Sequence, residues 1–532
     1  MILRTPEIVW IFALAVILLA NVPLLVGYAS SEPPQQIFMG FDFIDDFHYY
    51  GSYIRSYQEN PFDIFIANRM TSEPQDGRFF FPLFWVIGII SIPLGIPLAL
   101  TLVRTLLGVA LLVLVWHLLG HFFHDEKWRR IAFGVTALGG GVGWVYLAAR
   151  WIISGLPVLY SSDVTYTLGY SLFGNLFSIL AIAGQVIFLG MLLLLLRYIH
   201  ESQNKYLVGI GIMGILLFFV HPISFITYVP VIIAGIVIAV LGNPTKETFL
   251  HIRKIAITGV LASIPIIIYL AWAFQDAVFE AVFFSYGSWL RSENPFWWFI
   301  GYGAILVFAL YGIRHIQFDN HWKSAFFWGW VLAALILTLN PWKGLRFQPA
   351  LFIPLVILGV NGLKTFIERD GKRWGNFFKI NPMMLGVLFL LATLPSSGGV
   401  IYQHTLDVTK VSFQSGPYLS QSEIDAIQFL NTFERGVVLS SYKTGNNIAW
   451  MTHHIVYLGH WNQTLERGSK EADVQRFYSG GLSLNEMRHF LAEENIAYVF
   501  IGPEERLIGN PLLGWGEPIY RSEDILVLQV KH

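Results

Sequence analysis

Hydrophobic and polar positions segregate into long blocks along this chain. An apolar run from Ile8 to Val26 has the length of a membrane span. Residues 29–78 are polar, with eight acidic and three basic side chains. Residues 79–123 are almost continuously apolar but are interrupted by Pro82, Pro93, Gly95 and Pro97. Further blocks of span length lie near 131–151, 174–197, 205–220, 222–242, 255–273, 296–313, 324–339, 347–366 and 382–400. From about 401 the pattern changes. Val437–Ser440, Ile455–Leu458, Tyr498–Ile501 and Ile525–Val530 read as short strands, and Ser422–Phe433, Lys470–Tyr478 and Leu484–Glu494 as amphipathic helices. Ser483 with Glu486 forms a capping-box pattern. The expected organisation is a multispan domain over 1–400, a linker over 401–419, and a small α/β domain with a parallel sheet over 420–532.

Composition supports a polytopic α-helical membrane protein. The chain is 55% hydrophobic and 13% charged, against about 25% charged in soluble proteins, and its mean hydropathy is +0.56. A net charge of -1 offers no basic face for nucleic acid. With no cysteine, disulfides, thiolate catalysis and cysteine metal sites are excluded. The N-terminal run, followed by Gly27-Tyr28-Ala29, has features of a signal peptide, but it is longer than an ordinary signal core and reads as an uncleaved first span.

Lysine and arginine set the expected orientation. The segments 124–130, 243–254, 314–323 and 364–379 hold thirteen of them and are placed in the cytosol. The N-terminus is then cytoplasmic. The first loop, the loops near 154–173, 274–295 and 340–346, and the C-terminal domain are then extracytoplasmic, at a cell (plasma) membrane. Residues 79–123 must therefore cross an odd number of times. A single crossing at 98–123, with 79–97 as a re-entrant or interfacial helix, gives about eleven crossings, or about twelve if both pieces span.

The chemistry concentrates in the first loop. Asp42, Asp45 and Asp46 fall within five residues, flanked by Phe41, Phe43 and Phe47. A carboxylate there can take a proton from an incoming hydroxyl while its neighbour orients a ligand, and low dielectric near a membrane raises a carboxyl toward that task. A solvated acidic loop is the plainer alternative. His48, Tyr49, Tyr50, Tyr53, Arg55, Tyr57, Glu73 and Arg78 follow. Rings that stack on a pyranose beside guanidinium groups that grip phosphate suit a phosphosugar, although interfacial aromatics are common in membrane proteins.

Several motifs join this loop. They are Phe43-Ile44-Asp45-Asp46-Phe47-His48-Tyr49-Tyr50, Thr71-Ser72-Glu73-Pro74, Gly139-Gly140-Gly141-Val142-Gly143-Trp144, His221-Pro222 and Tyr457-Leu458-Gly459-His460-Trp461-Asn462-Gln463-Thr464. With the topology and the C-terminal domain, they resemble the GT-C class of integral-membrane glycosyltransferases, whose members include protein O-mannosyltransferases, aminoarabinose transferases and oligosaccharyltransferase catalytic subunits. The nearest resemblance is to uncharacterised prokaryotic members. It implies inverting transfer of a sugar from a polyprenyl-phosphate-linked donor to an extracytoplasmic lipid, glycan or protein acceptor, with Asp45 as general base and Asp46 assisting. Asp42, which precedes the pair, departs from the family pattern. The leaving phosphate implies a cation, an arginine in some members and a divalent metal in others, so the metal ligands stay unknown.

Other positions complete the candidate list. Lys343 and Arg346, in Asn340-Pro341-Trp342-Lys343-Gly344-Leu345-Arg346-Phe347, would meet the leaving phosphate where a helix restarts, or else anchor lipid headgroups. His221, between two spans, would contact substrate or simply occupy a turn. Gly139–Gly143 is expected inside a span, where it allows close helix packing. Asp163 reads as a lone solvated acid, and the 285–291 loop as an interfacial aromatic segment or, by the resemblance, a cover over the active site. His453, His454 and His460 have no acidic partner at metal spacing. The rival classes are a transporter or lipid flippase using acidic ion sites, and a non-catalytic membrane scaffold.

Overall fold

The computed structural model describes residues 5–40, 46–79, 81–154, 163–164, 169–285, 294–341, 344–370, 382–409 and 417–531. Helices dominate. Among the described residues five are long and apolar enough to cross a bilayer: Ile96–Leu119, Ile179–Glu201, Pro222–Gly242, Lys246–Ala273 and Gly386–Thr409. Three bent pairs raise the number to eight if each is one span: Glu7–Ala20 with Val22–Ala29, Glu126–Leu138 with Gly143–Ile153, and Gly344–Ala350 with Phe352–Arg369. Pro82–Leu94, Asn204–Val220 and Phe296–Gly312 are shorter apolar helices.

Two expectations meet their physical reasons here. The 79–123 block breaks at Gly95, whose φ of 76° is easy only for glycine. Before the break Pro82–Leu94 is about 20 Å long, short of a ~30 Å hydrocarbon core, whereas Ile96–Leu119 has the length to cross. The glycine run is not inside a continuous span, contrary to the expectation. Glu126–Leu138 stops at Gly139, and Val142 N–H donates to the Ile300 carbonyl (2.8 Å) across the break. A side chain at Gly141 would run into the Ile300 and Gly301 carbonyls, so close packing is the reason for the glycines.

The chain forms two compact units. The first comprises 1–22, 104–268 and 287–404. Its helices approach through small residues: Gly329 of His321–Thr338 lies against Gly235 of Pro222–Gly242, and Gly362 of Phe352–Thr365 against the Phe308 carbonyl of Pro295–Gly312.

The second unit comprises 23–103, 269–286 and 405–532, so the first loop belongs with the C-terminal domain. β1 (Ile37–Phe38) pairs antiparallel with β2 (Tyr418–Leu419). Two helices follow β1 in the chain, α1 (Asp46–Glu59) and α2 (Pro82–Leu94). A five-stranded sheet runs in the order β4 (Ile455–Val456), β3 (Val437–Leu439), β5 (Ile496–Ile501), β7 (Leu526–Val530), β6 (Gly516–Arg521). Its helices are α3 (Gln421–Leu430), α4 (Tyr442–Met451), α5 (Arg467–Tyr478), α6 (Leu484–Glu493) and α7 (Pro503–Ile508).

Alternation along the strands loads both faces. Val438, Val456, Tyr498, Phe500 and Val527 pack with α3, α4 and Met70 of the first loop. Leu439, Val499, Ile501, Leu526 and Leu528 pack with α5 and α6. The expected capping box, Ser483 with Glu486, starts α6. The sheet is mixed, not parallel: β3 is parallel to β4 and β5, but β7 is antiparallel to β5 and β6. The edge strand β6 carries Pro518 and outward charges, which hide the strand pattern in the sequence.

Candidate functional site

Asp42 and Asp45 lie outside the described residues, as does Lys343; Asp46 opens α1. A carboxylate in the first turn is favoured by the helix dipole. Most of α1 is buried, from Phe47 to Ile54 without a break and again at Ser56 and Tyr57. Gly51 backs onto Trp450 of α4, where a Cβ would stand 2.9 Å from the tryptophan Cβ, and Phe47 meets the same indole edge-on at 5.2 Å. Tyr49, Tyr50 and Tyr53 pack on Phe84 of α2, and Tyr57 on Gly88. The rings that the sequence offered to a sugar are therefore core side chains of this unit.

Asp46 is different, with its side chain 25% exposed. The Tyr50 hydroxyl donates to Oδ2 (3.2 Å), and His460 Nε2 stands 3.8 Å from Oδ1. His460 belongs to the loop after β4. It is fully buried, with its ring stacked on Tyr49 at 5.5 Å and 27°. Burial pushes its pKa down to about 3, with the charges of His48 and Arg467 adding to the effect, so the imidazole facing Asp46 is neutral near pH 7. His48 is buried beside it on α1.

The second half of the first loop is stitched to the sheet domain. Val456 N–H donates to the Arg69 carbonyl (2.9 Å), extending the β4 edge. Asn68 Nδ2 donates to the Gln463 carbonyl (2.9 Å), and Thr464 Oγ1 to the Met70 carbonyl (2.6 Å). Leu465 N–H donates to Thr71 Oγ1 (3.0 Å), whose hydroxyl also contacts Glu73. Lys470 Nζ lies 2.6 Å from Glu73 Oε1 and donates to Ser72 Oγ (3.1 Å). The sequence motifs Thr71-Ser72-Glu73-Pro74 and Tyr457–Thr464 are thus joined through residues flanking them, Met70 with Thr464 and Leu465 with Thr71.

The arginines of the loop are engaged as well. Arg55 pairs with Glu59 (2.7 Å), and Arg69 with Glu59 (2.5 Å) and the Thr452 carbonyl (2.7 Å). Arg78 is buried over the Trp272 ring at 4.4 Å, 4.0 Å from Asp276. Asp276 also accepts from Asp76 N–H (2.8 Å), which ties the loop to the segment after Lys246–Ala273.

The first unit holds the remaining candidates. His221 lies between Asn204–Val220 and Pro222–Gly242, with Nδ1 2.8 Å from Ser224 Oγ, and Arg346 is within electrostatic range of it. Arg346 sits in the four-residue helix Gly344–Phe347; the long helix resumes only at Phe352, after Pro349 and a 50° bend. Asp163 is buried rather than solvated. It accepts from Ser396 Oγ (2.6 Å) and from Gly143 N–H (3.1 Å), which explains how an isolated acid tolerates burial.

Sequence reasoning missed His460 as a neighbour of Asp46, Lys470 as the partner of Glu73, and the burial of Asp163. The Tyr457–Thr464 motif pointed toward the first; nothing in the sequence marked the other two.

No protein-family profile and no curated protein matches the sequence. Solved structures do. The apo oligosaccharyltransferase of Archaeoglobus fulgidus is 14% identical at a TM-score of 0.59, with 94% of this chain and 71% of that one covered. The A. fulgidus oligosaccharyltransferase AglB in complex with an inhibitory peptide and a dolichol-phosphate gives 14%, 0.53, 92% and 69%. Apo ArnT from Cupriavidus metallidurans gives 12%, 0.48, 97% and 97%. The chain has the fold of the GT-C class of integral-membrane glycosyltransferases.

Proposed function

We propose that this protein is an inverting membrane glycosyltransferase that moves a sugar from a polyprenyl-phosphate-linked donor to an extracytoplasmic lipid, glycan or protein acceptor. The observation that carries the reading is Asp46: a partly exposed carboxylate at the start of a mostly buried helix, bracketed by Tyr50 and His460, in a chain with the oligosaccharyltransferase fold. The dolichol-phosphate in the AglB complex supports a lipid-phosphate donor.

The chemistry follows from charge. As the acceptor oxygen or nitrogen attacks the anomeric carbon, it loses a proton to a carboxylate within hydrogen-bond reach, assigned to Asp45, while Asp46 orients the acceptor. The carrier phosphate departs from the opposite face with its electron pair, so one displacement inverts the centre. Arg346, with Lys343 and His221, is assigned to the growing negative charge on that phosphate, because a guanidinium fork suits phosphate geometry. Asp42, His48, Tyr49, Arg55, Glu73 and Arg78 then support the site from within the loop, since the described ones are held by packing or ion pairs. Among the described residues no three His, Asp or Glu side chains come together as a metal would require, so no metal role is assigned to them.

The lysine and arginine bias supports about eleven crossings, with a cytoplasmic N-terminus and the 420–532 domain outside the cell membrane. Product analysis on purified protein, with a panel of polyprenyl-phosphate sugars, tests the reading. Transfer by the wild type and its loss in folded D45N support it; transfer undiminished in D45N overturns the base assignment.

A further inference from the structure

We propose that His460 is a positioning residue for the acidic motif: its Nε2–H, presented from the C-terminal domain, holds the Asp46 carboxylate in its working rotamer. The proposal rests on the transferase reading above and assigns a role to a residue outside the first loop.

Four observations support it. The imidazole is completely enclosed, whereas Asp46 is partly exposed, so His460 approaches the carboxylate from behind and substrate does not reach it. The Asn462 side chain accounts for one ring nitrogen, and leaving the other unsatisfied would be costly for a buried imidazole. A carboxylate only accepts, and a neutral imidazole has one N–H, so the tautomer suited to the 3.8 Å approach carries its proton on Nε2. Closing that gap by about 1 Å makes an ordinary hydrogen bond.

The fourth is rigidity. The His460 carbonyl accepts from both Gln463 N–H and Thr464 N–H (3.0 Å each), and Thr464 Oγ1 bridges Gly459 N–H (2.9 Å) and the Met70 carbonyl (2.6 Å). Tyr49 covers one face of the ring. With Tyr50 on Oδ2 and His460 toward Oδ1, both carboxylate oxygens face donors, one from α1 and one from the sheet domain.

Three substitutions separate positioning from packing. H460F keeps a ring against Tyr49 without a donor. H460Q places an amide nitrogen near the Nε2 position, and H460N places one near Nδ1. With full-length protein and the polyprenyl-phosphate sugar panel, H460F and H460N lose about 10-fold or more in kcat with donor KM unchanged, because a misplaced catalytic group costs rate rather than binding. H460Q recovers to within about 3-fold of wild type. In the D46N background H460F has no further effect on kcat, because its action runs through Asp46. Wild-type kcat in H460F, H460Q as impaired as H460F, or additive losses in the double variant overturn the proposal while leaving the transferase reading intact. A wild type that transfers nothing defeats the transferase reading instead. The side-chain 15N spectrum of labelled histidine then still decides the geometry: an Nε2–H tautomer perturbed by D46N agrees with it, and an Nδ1–H tautomer indifferent to D46N overturns it.

Discussion

Lys470 fastens the first loop to the sheet domain through a buried ion pair, and its removal has a calculable cost. The side chain is 6% exposed, with its ammonium 2.6 Å from Glu73 Oε1, 3.1 Å from Ser72 Oγ and 5.0 Å from the Tyr457 ring centre. Breaking a buried ion pair costs roughly 3–5 kcal/mol when the orphaned charge stays buried. In K470M the orphan is Glu73, whose side chain is 29% exposed and can turn to water, so the cost falls to about 2 kcal/mol. In E73L the orphan is the enclosed ammonium, left with hydroxyls and a ring face, and the cost rises to about 3 kcal/mol. Local opening then becomes about 30-fold easier in K470M and about 150-fold in E73L. Hydrogen exchange read by mass spectrometry on the full chain in detergent reports this at the peptides holding Arg69–Glu73 and Val456–Leu465. Unchanged exchange in K470M, or a milder effect of E73L than of K470M, refutes the reasoning.

Two further outcomes follow from buried groups. Asp163→Ala leaves Ser396 Oγ–H and Gly143 N–H without this acceptor, at about 2 kcal/mol, and Asp163→Asn keeps an acceptor; thermal midpoints should fall in the order wild type, D163N, D163A. For pH, the unfolded chain protonates His460 near 6.5, but the folded one only near 3, so the unfolded state binds more protons in that window. Stability therefore declines as pH falls from about 6.5 toward 3, by at most ~1.4 kcal/mol per unit from this group, and His454, also held low by burial, adds in the same direction. H460Q should flatten the dependence of the thermal midpoint between about pH 6 and 4; parallel profiles would contradict the buried, neutral histidine.

The sequence showed clearly whatever depends on local periodicity. Long apolar blocks became helices, and the capping box at Ser483 was found where expected. Chain reversals with strong local signals were also legible, such as the break among Pro82–Pro97. Long-range partnerships were not. α4 was missed because its buried face includes Asn446 and Asn447, which look solvent-facing in a hydropathy pattern. The sheet was read as parallel because alternation of strand and helix dominates residues 420–501, and the closing hairpin of β6 and β7 carries Pro518 and charges. Asp163 looked solvated because its partners, Ser396 and Gly143, are far away or supply only backbone. The tyrosines of α1 looked like ligand-facing rings because composition cannot distinguish a stack on sugar from a stack on Phe84. His460 stood inside a motif visible in the sequence, yet only folding brings it to Asp46 across more than four hundred residues of chain.

Glycosyl transfer is the task assigned to the acidic motif. The most direct test is mass-spectrometric analysis of products formed by purified wild-type and D45N protein supplied with polyprenyl-phosphate sugars and membrane-extract acceptors. A new glycosylated product, with release of polyprenyl phosphate, is expected from the wild type and is expected to be lost from folded D45N. Sugar release without transfer, or equal product from both proteins, would contradict it.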